Sequence, residues 1–240
     1  AGAGIGYRAR RKARDAARSR HARLPPMLTL FDYLPSRNAW KVRQLLAHLG
    51  IPHATQYVSI FEGEGRTPEF LALNPTGRVP AIRLADGRAL AESNAILAFL
   101  ADGTRYLPGD AYARAKVHQW LSFEQENVES TIGALRHWTM TGKLPRRSAD
   151  LVAAKRNAGL RALAILDATL AQAPFLTGED YTIADIALFA YASRAEEAGI
   201  DLAPYPHFRA WIARIEAQPE YDGVVHPYAI DPHSGGELPG

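Results

Sequence analysis

Strand-like sequence patterns occur only in the first half of this 240-residue chain, and they stop at the turn sequence Leu107-Pro108-Gly109-Asp110. Before this turn, the patterns predict strands at 28–31, 53–59, 81–84 and 88–91 and helices at 42–49 and 92–101. After it, apolar residues recur at helical spacing over 112–141, 148–172, 182–198 and 206–217. The order βαβ, then ββα, then helices alone predicts a small α/β half followed by an all-helical half, with the boundary at this turn.

The composition restricts the chemistry that the chain can perform. It contains no cysteine, which excludes disulfides, thiolate metal sites and a sulfur nucleophile carried by the protein itself. Any thiol chemistry must therefore use the thiol of a ligand. No apolar run is long enough to cross a membrane, and the N-terminus lacks the apolar stretch of a secretory signal, so we expect a cytoplasmic protein without a membrane partner.

Residues 1–26 carry eight basic side chains against the single acid Asp15, so this segment has a net charge near +7. The whole chain has a net charge of +3, which leaves the remainder near −4 and gives it no general attraction for nucleic acid. We predict that residues 1–26 form a disordered basic extension. Three origins stay open: a misassigned start, since Met27 begins the first folded-looking segment, a basic arm, or an organelle transit peptide. Residues 226–240 are predicted to be a loose tail.

The sequence Pro35-Ser36-Arg37-Asn38-Ala39-Trp40 joins the first predicted strand to the first helix. It places a hydroxyl and a side-chain amide at a helix N-terminus, where unpaired backbone N–H groups and the helix dipole favour an anion. Ser36 and Asn38 are therefore candidates to stabilise a bound thiolate. The alternative is that one of them only caps the helix.

The sequence Asn74-Pro75-Thr76-Gly77-Arg78-Val79-Pro80 leads into the third predicted strand. If the Val79–Pro80 bond is cis, the N–H and C=O groups of Val79 face outwards at a sheet edge. These two groups can pair with a peptide-like ligand as an added strand would. Most bonds before proline are trans, so this position alone does not establish a site.

Glu92 and Ser93 lie where the fourth strand becomes a helix. The Ser93 hydroxyl and the first N–H groups of that helix can hold a carboxylate, while Glu92 can attract an ammonium group. Together they suit an amino-acid-like end of a ligand. The alternative is again a simple helix cap.

In the second half, Thr182-Ile183-Ala184-Asp185 has the spacing of a capping box at the start of a helix. We predict a structural role for Thr182 and Asp185. The eight histidines show no pairing at metal-ligand spacing, so no metal is predicted.

Taken together, these motifs resemble the cytosolic glutathione transferases from Met27 to about Pro219. The resemblance implies an α/β thioredoxin-like domain at 27–105, an all-α domain at 112–225, a homodimer, and glutathione as co-substrate. It implies that Val79 and Pro80 bind the cysteinyl backbone of glutathione, Glu92 and Ser93 its γ-glutamyl end, and Arg78 a carboxylate. The loop is similar to the bacterial serine-type patterns, zeta-like or nu-like, which place Ser36 at the sulfur, with Asn38 second and Tyr33 third.

A glutathione transferase also needs a pocket for a hydrophobic electrophile. We expect its walls to include Leu34, His137, Trp138 and Met140, although a tryptophan at helical spacing is more often a core residue. The expected reaction is conjugation of glutathione to that electrophile. Two alternatives stay open: reduction of glutathionyl disulfides, as in nu-like enzymes, and a non-catalytic interaction module of the same fold.

Overall fold

The computed structural model describes residues 28–231, so the predicted basic extension and residues 232–240 lie outside the described residues. A four-stranded sheet has the order β2-β1-β3-β4. Its strands are β1 (Leu28–Asp32), β2 (His53–Tyr57), β3 (Ala81–Arg83) and β4 (Ala89–Ala91). β2 is parallel to β1, whereas β3 is antiparallel to both of its neighbours. The predicted βαβ and hairpin units are thereby confirmed.

Three helices belong to this half: α1 (Arg37–Leu49), α2 (Pro68–Leu73) and α3 (Ser93–Ala101). α1 connects the parallel strands and ends at Gly50, which adopts the left-handed conformation with φ 60°. α2 was not predicted, because its six residues are too few to show a helical period. Thr67 caps it by accepting a hydrogen bond from the Phe70 N–H group.

The second half consists of helices, as predicted. They are α4 (Ala111–Phe123), α5 (Ala134–Met140), α6 (Ala149–Leu170), α7 (Ile183–Ala192) and α8 (Pro206–Glu216). A π-helical segment, Glu124–Gly133, joins α4 to α5 without a break. Gly133 ends this segment against the ring of Tyr191, where an added Cβ would lie 3.0 Å from the ring. π-Helical turns are frequent at functional sites. The spacing of apolar residues in the sequence did not distinguish this segment from an α-helix.

The predicted capping box of α7 is confirmed. Thr182 and Asp185 exchange side-chain to backbone hydrogen bonds at the start of the helix. Asp185 is fully buried and also accepts from the Leu176 N–H and the Trp211 indole N–H, at 3.0 and 2.9 Å. It is therefore a structural residue, well removed from solvent.

One buried apolar cluster runs through both halves, because α1 packs against the sheet on one side and α7 on the other. The ring of Trp40 lies 5.3 Å from that of Phe189, centre to centre. The buried Arg37 guanidinium donates to the Ala190 carbonyl at 2.9 Å, which closes the last turn of α7. The N-terminal end of α1 is consequently held by the helical half.

After α8 the chain returns to the first half. The Trp40 indole donates to the Asp222 carbonyl at 2.8 Å, and the Ser59 hydroxyl donates to the Asp231 carboxylate at 2.7 Å. Tyr228 and Asp231 are buried. The prediction of a loose tail is therefore wrong for residues 226–231, because an aromatic ring and a buried carboxylate hold them in place. Within residues 28–231, no helix combines the length and apolar character that a membrane crossing requires.

Candidate functional site

A cleft of about 500 Å³ lies between the two halves, a volume typical of a site for a small molecule. Ser36, Arg78 and Val79 line it from the first half, and His137, Tyr191 and Tyr228 line it from later in the chain. A separate depression of about 360 Å³ beside α2 contains none of the predicted site residues. The cleft is therefore the candidate site.

Ser36 is the N-cap of α1. Its backbone is extended, with φ −70° and ψ 121°, and its Oγ accepts a hydrogen bond from the Ala39 N–H at 3.2 Å. The predicted capping role is thus confirmed, but it does not exclude the chemical one. A hydroxyl that accepts through a lone pair still has its own proton to donate, and Ser36 faces the cleft.

Asn38 is placed differently. Its side-chain amide donates to the Glu129 carboxylate at 2.7 Å, and its oxygen accepts from the Ser93 hydroxyl at 3.2 Å. It is not among the residues that line the cleft. Asn38 therefore connects the start of α1 to the π-helical segment and to α3.

The Val79–Pro80 bond is cis, as the predicted ligand edge requires. The loop before it is held by Asn74, a buried residue whose amide donates to the Arg78 carbonyl at 2.7 Å. Gly77 in this loop approaches Gly65 so closely that a Cβ on either glycine would overlap the carbonyl of the other. Two backbone segments therefore meet at the rim of the cleft beside Val79.

Glu92 precedes α3 with φ 67° and ψ 112°, a conformation that is strained for any residue other than glycine. Its side chain is exposed, whereas Ser93 is buried. Neither residue is among those that line the cleft, and Ser93 is connected to its neighbourhood through Asn38. Strain of this kind persists where the surrounding structure enforces it and is concentrated at ligand sites.

Of the residues predicted to form the pocket for the electrophile, the structure places only His137 at the cleft. The ring of Trp138 instead lies 4.8 Å from the guanidinium carbon of Arg147 and 5.8 Å from the ammonium of Lys155. Adjacent residues on a helix point about 100° apart, so Trp138 can pack beside these cations while His137 lines the cleft. Leu34 and Met140 are half-buried outside the lining.

Aromatic side chains form one wall of the cleft, and of these the sequence had indicated Tyr33 and His137 but not Tyr191 or Tyr228. Tyr33, Tyr191 and Tyr228 line the cleft together with His137. Tyr33 is fully buried, and this burial raises the pKa of its phenol far above the ordinary value, so the group is neutral at physiological pH. Arg66 and Arg78 are also in the lining, which contains no acidic residue among the described part of the chain. The cleft therefore favours an anionic ligand with apolar or aromatic parts.

Comparison with known proteins agrees with this geometry. Residues 35–102 match the family model of the glutathione S-transferase N-terminal domain, and residues 129–219 match that of the C-terminal domain. The disulfide-bond oxidoreductase YfcG of Escherichia coli is 30% identical over 200 residues, which cover 80% of this chain and 92% of that protein. The chain belongs to the glutathione S-transferase family.

Solved glutathione transferases have the same fold. One from Pseudomonas fluorescens superposes with a TM-score of 0.79 at 39% identity, covering 81% of this chain and 97% of that one. Another, from Burkholderia graminis, has two glutathione molecules bound per subunit; it is 29% identical with a TM-score of 0.71 and covers 81% of this chain and 85% of its own. In the present protein, the match to the N-terminal family model includes all the predicted glutathione contacts except the third sulfur candidate, Tyr33.

Close to Asn38, between α1 and the π-helical segment, the transferase contains a buried ion pair that the sequence did not suggest. The Lys41 ammonium lies 2.9 Å from the Glu124 carboxylate, and both side chains are fully buried. A second carboxylate, that of Glu129, is 3.9 Å from the same ammonium and partly exposed. Asn94, next to Ser93, also donates to Glu124 at 3.0 Å. The sequence contains one indication of this pair, because Lys41 lies on the buried side of α1 and a buried lysine needs an acidic partner. Nothing near it in the sequence identifies that partner as Glu124.

The described residues of the transferase include no cluster of three or more metal-ligating side chains. Its polar groups are instead a hydroxyl, backbone amides and cations. Groups of these kinds can bind an anion.

Proposed function

We propose that this protein binds glutathione, holds its sulfur as a thiolate beside Ser36, and conjugates it to a hydrophobic electrophile. The observation that carries the proposal is the position of Ser36, whose hydroxyl caps α1 and at the same time faces a cleft between Val79 and the aromatic wall. The known binding of glutathione by the Burkholderia relative supports the choice of ligand.

The chemistry follows from the acidity of the thiol. A free thiol has a pKa of about 8.5, so only a few per cent is ionised at neutral pH, and the thiolate is the nucleophile. A hydrogen bond from the Ser36 hydroxyl and the positive end of the α1 dipole both favour the charged form. The thiolate then attacks the electrophilic carbon, a C–S bond forms, and the leaving group departs with its electron pair. The proton released on ionisation passes to solvent.

In this proposal Val79 pairs through its backbone with the cysteinyl unit, beside Pro80. Arg78 pairs with a glutathione carboxylate, and Glu92 and Ser93 hold the γ-glutamyl end. Asn38 acts as a positioning residue, because its amide is bound to Glu129 and its oxygen to Ser93. We include in the proposal a serine-type active site, a homodimer and a cytoplasmic location, as the family resemblance implies.

A second candidate function is reduction of glutathionyl disulfides. The similarity to an oxidoreductase and the two arginines in an acid-free cleft favour it, because a glutathionyl disulfide brings additional carboxylates. The bound thiolate would then attack the glutathionyl sulfur, forming oxidised glutathione and releasing the other sulfur as a thiolate.

The test is calorimetric titration of glutathione into the wild type, Ser36→Ala and Ser148→Ala, with ultraviolet absorbance of the bound thiolate recorded against pH. Ser148 is an exposed N-cap of α6 and serves as the matched control. Loss of one hydrogen bond to a charged group is expected to raise the thiol pKa in Ser36→Ala by about one to two units, with no shift in Ser148→Ala.

Failure to bind glutathione would refute the whole proposal, and an unchanged thiol pKa in Ser36→Ala would remove Ser36 from its role. Steady-state rates with 1-chloro-2,4-dinitrobenzene and with a mixed glutathionyl disulfide then separate conjugation from reduction. Binding without turnover of either substrate would leave a glutathione-binding interaction module.

A further inference from the structure

We infer that the outer face of α6 is a docking surface for membranes that contain anionic phospholipids. An apolar helix face and the basic side chains around it form this surface, which spans residues 143–168 and is called the α6 surface below. None of its residues lines the cleft, so the inference does not depend on the proposed glutathione chemistry.

One side of α6 faces away from the rest of the protein. Successive residues of a helix point 100° apart, and the ten exposed positions within 150–168 all fall on one half of its circumference. Seven of the ten are apolar: four alanines and the large residues Leu151, Leu160 and Ile165, which are 41%, 37% and 48% exposed. The outer side of a surface helix is ordinarily polar. This face therefore has the character of one that another apolar medium covers.

Basic residues are concentrated around this apolar face. Residues 143–161 contain six basic side chains and a single acid, Asp150, which gives them a net charge of +5. Because residues 27–240 together carry −4, the other residues of that part carry −9. The α6 surface is therefore a local region of positive charge on a protein body that is otherwise acidic.

Four cations of the α6 surface have no carboxylate partner among residues 28–231. Arg146 and Arg161 are exposed, and neither forms an ion pair with a described residue. Lys155 and Arg156 lie just beyond the two edges of the apolar face, and both donate to backbone carbonyls rather than to acids. Their positive charge therefore remains available to a partner.

The charge of the α6 surface opposes two occupants that the chain itself could supply. A second copy seated on the same face would bring one +5 surface against another, and residues 1–26 carry +7. Like charges held close together repel. The occupant must therefore be anionic, and it must also receive apolar side chains.

An anionic lipid surface meets both requirements. A helix of this kind lies in the membrane interface, with its apolar side chains among the acyl chains and its cations at the lipid phosphates. The ring of Trp138, which lies 4.8 Å from the Arg147 guanidinium carbon and 5.8 Å from the Lys155 ammonium, adds an aromatic residue of the type that is enriched at membrane interfaces. A nucleic acid would bind the cations but leave Leu160 and Ile165 in water.

The expectation that this chain has no membrane partner rested on the absence of a run long enough to cross a bilayer. Peripheral binding needs no such run, because the helix lies along the membrane and does not enter its centre. The outer face of α6 is also convex, which suits a flat bilayer and offers no groove to a peptide.

The experiment measures binding to sucrose-loaded vesicles by sedimentation. The vesicles contain phosphatidylcholine alone, or phosphatidylcholine with phosphatidylglycerol as one lipid in three. Every protein is the full-length chain with glutamine at the eight basic positions of 1–26, so that this segment supplies no cation. This parent is compared with two double variants of the α6 surface, Arg146→Gln/Arg161→Gln and Leu160→Gln/Ile165→Gln. Two matched controls change exposed residues outside that surface, Arg83→Gln/Arg88→Gln and Val224→Gln/Val225→Gln.

We expect the parent to bind anionic vesicles at least about tenfold more tightly than neutral ones, with an affinity that falls as salt is added. Arg146→Gln/Arg161→Gln should weaken this binding about 25-fold, since each cation near an anionic membrane is worth about fivefold. Leu160→Gln/Ile165→Gln should weaken it at least about tenfold, because two apolar side chains no longer enter the lipid. Both controls should stay within about twofold of the parent. Urea unfolding verifies that each variant is folded.

No binding to anionic vesicles, equal binding to both kinds of vesicle, or equal losses in the α6 variants and their controls would overturn the inference. Binding that needs Arg146 and Arg161 but not Leu160 and Ile165, and that double-stranded DNA competes away, would assign the surface to a polyanion and overturn it as well. Titration of glutathione into the same proteins separates this inference from the proposed function, because the changes on α6 should leave the affinity for glutathione unaltered.

Discussion

The amide of Asn38 donates to the Glu129 carboxylate at 2.7 Å, across the boundary between the two halves of the protein. Ser36 and Asn38 are neighbours in the sequence, but this contact gives Asn38 different partners from those of Ser36. Ser36 lines the cleft and its hydroxyl has a proton to donate, whereas the amide of Asn38 donates to Glu129 and its oxygen accepts from Ser93. The two side chains should therefore affect different properties of bound glutathione.

We predict that Asn38→Ala weakens glutathione binding about five- to tenfold while the pKa of the bound thiol stays within a few tenths of its wild-type value. The variant removes the link that holds Ser93 without touching the Ser36 hydroxyl, and one or two hydrogen bonds are worth about 1 kcal/mol each. Calorimetry gives the affinity and thiolate absorbance the pKa. Ser36→Ala is the comparison, with the opposite pattern; a large rise of the pKa in Asn38→Ala would mean that the amide reaches the sulfur.

Lys41→Met should lower the free energy of unfolding by about 3 to 5 kcal/mol, because it leaves the fully buried Glu124 carboxylate without its cation. The double variant Lys41→Met/Glu124→Gln should recover much of this loss, since no charge is then buried and Asn94 keeps an acceptor. Urea unfolding measures both. Arg88→Met is the control: Arg88 pairs with Asp86 at the surface, and its loss should cause no measurable change. A single and a double variant of equal stability would contradict the prediction.

Gly65→Ala should weaken glutathione binding about tenfold, since the new methyl group would overlap the Gly77 carbonyl and displace the loop before Val79. Backbone shifts of this kind cost about 1 to 3 kcal/mol. Gly109→Ala is matched, because an added Cβ there meets no atom within 4 Å. Calorimetric affinities of the two variants provide the check. Wild-type affinity in Gly65→Ala would show that the loop contact is not needed for the site.

His48 predicts how stability depends on pH. Burial against Tyr106 and Tyr181 lowers its pKa from 6.5 to about 4. As the pH falls, the unfolded chain therefore binds a proton that the folded protein does not, and stability decreases from about pH 6.5 towards pH 4. The contribution of His48 to the free energy of unfolding is therefore fully present above pH 6.5.

The variant His48→Phe keeps a ring beside Tyr106 and has no group to titrate. Its unfolding free energy should fall less steeply than that of the wild type between pH 6.5 and 4, whereas the exposed-site variant His118→Phe should follow the wild-type slope. Parallel slopes for His48→Phe and the wild type would place the acid sensitivity elsewhere.

The sequence was sufficient wherever the interacting groups are close along the chain. Thr182 and Asp185 lie within one helical turn, so their mutual capping could be predicted from spacing alone. The indole of Trp211 binds the same carboxylate from 26 residues away, and no local pattern indicates it. Likewise, Ser36 was recognisable as a helix N-cap, but the contact that separates it from Asn38 depends on Glu129, 91 residues after Asn38.

The errors in the second-substrate pocket have the same origin. Helical periodicity identifies which residues share a face but not which neighbour that face meets, and so Trp138 was assigned to the cleft although it packs against α6. Tyr228 was missed because the ten residues that precede it show no helical or strand period, so nothing local indicated a return to the first half. The path shows itself only in contacts between residues far apart in the chain, those of Asp222 with Trp40 and of Asp231 with Ser59.

That pairing has a consequence for synthesis. Ser59 is made early, and its hydrogen-bond partner follows 172 residues later. A nascent chain can complete the sheet, α1 and every predicted contact to glutathione while one side of the cleft is still open to water, because synthesis proceeds from the N-terminus. The final wall, with Tyr228 in it, is added only when the last described residues emerge. A chain that ends at residue 227 would therefore keep Ser36, Val79 and Pro80 and lack the part of the cleft wall that Tyr228 forms.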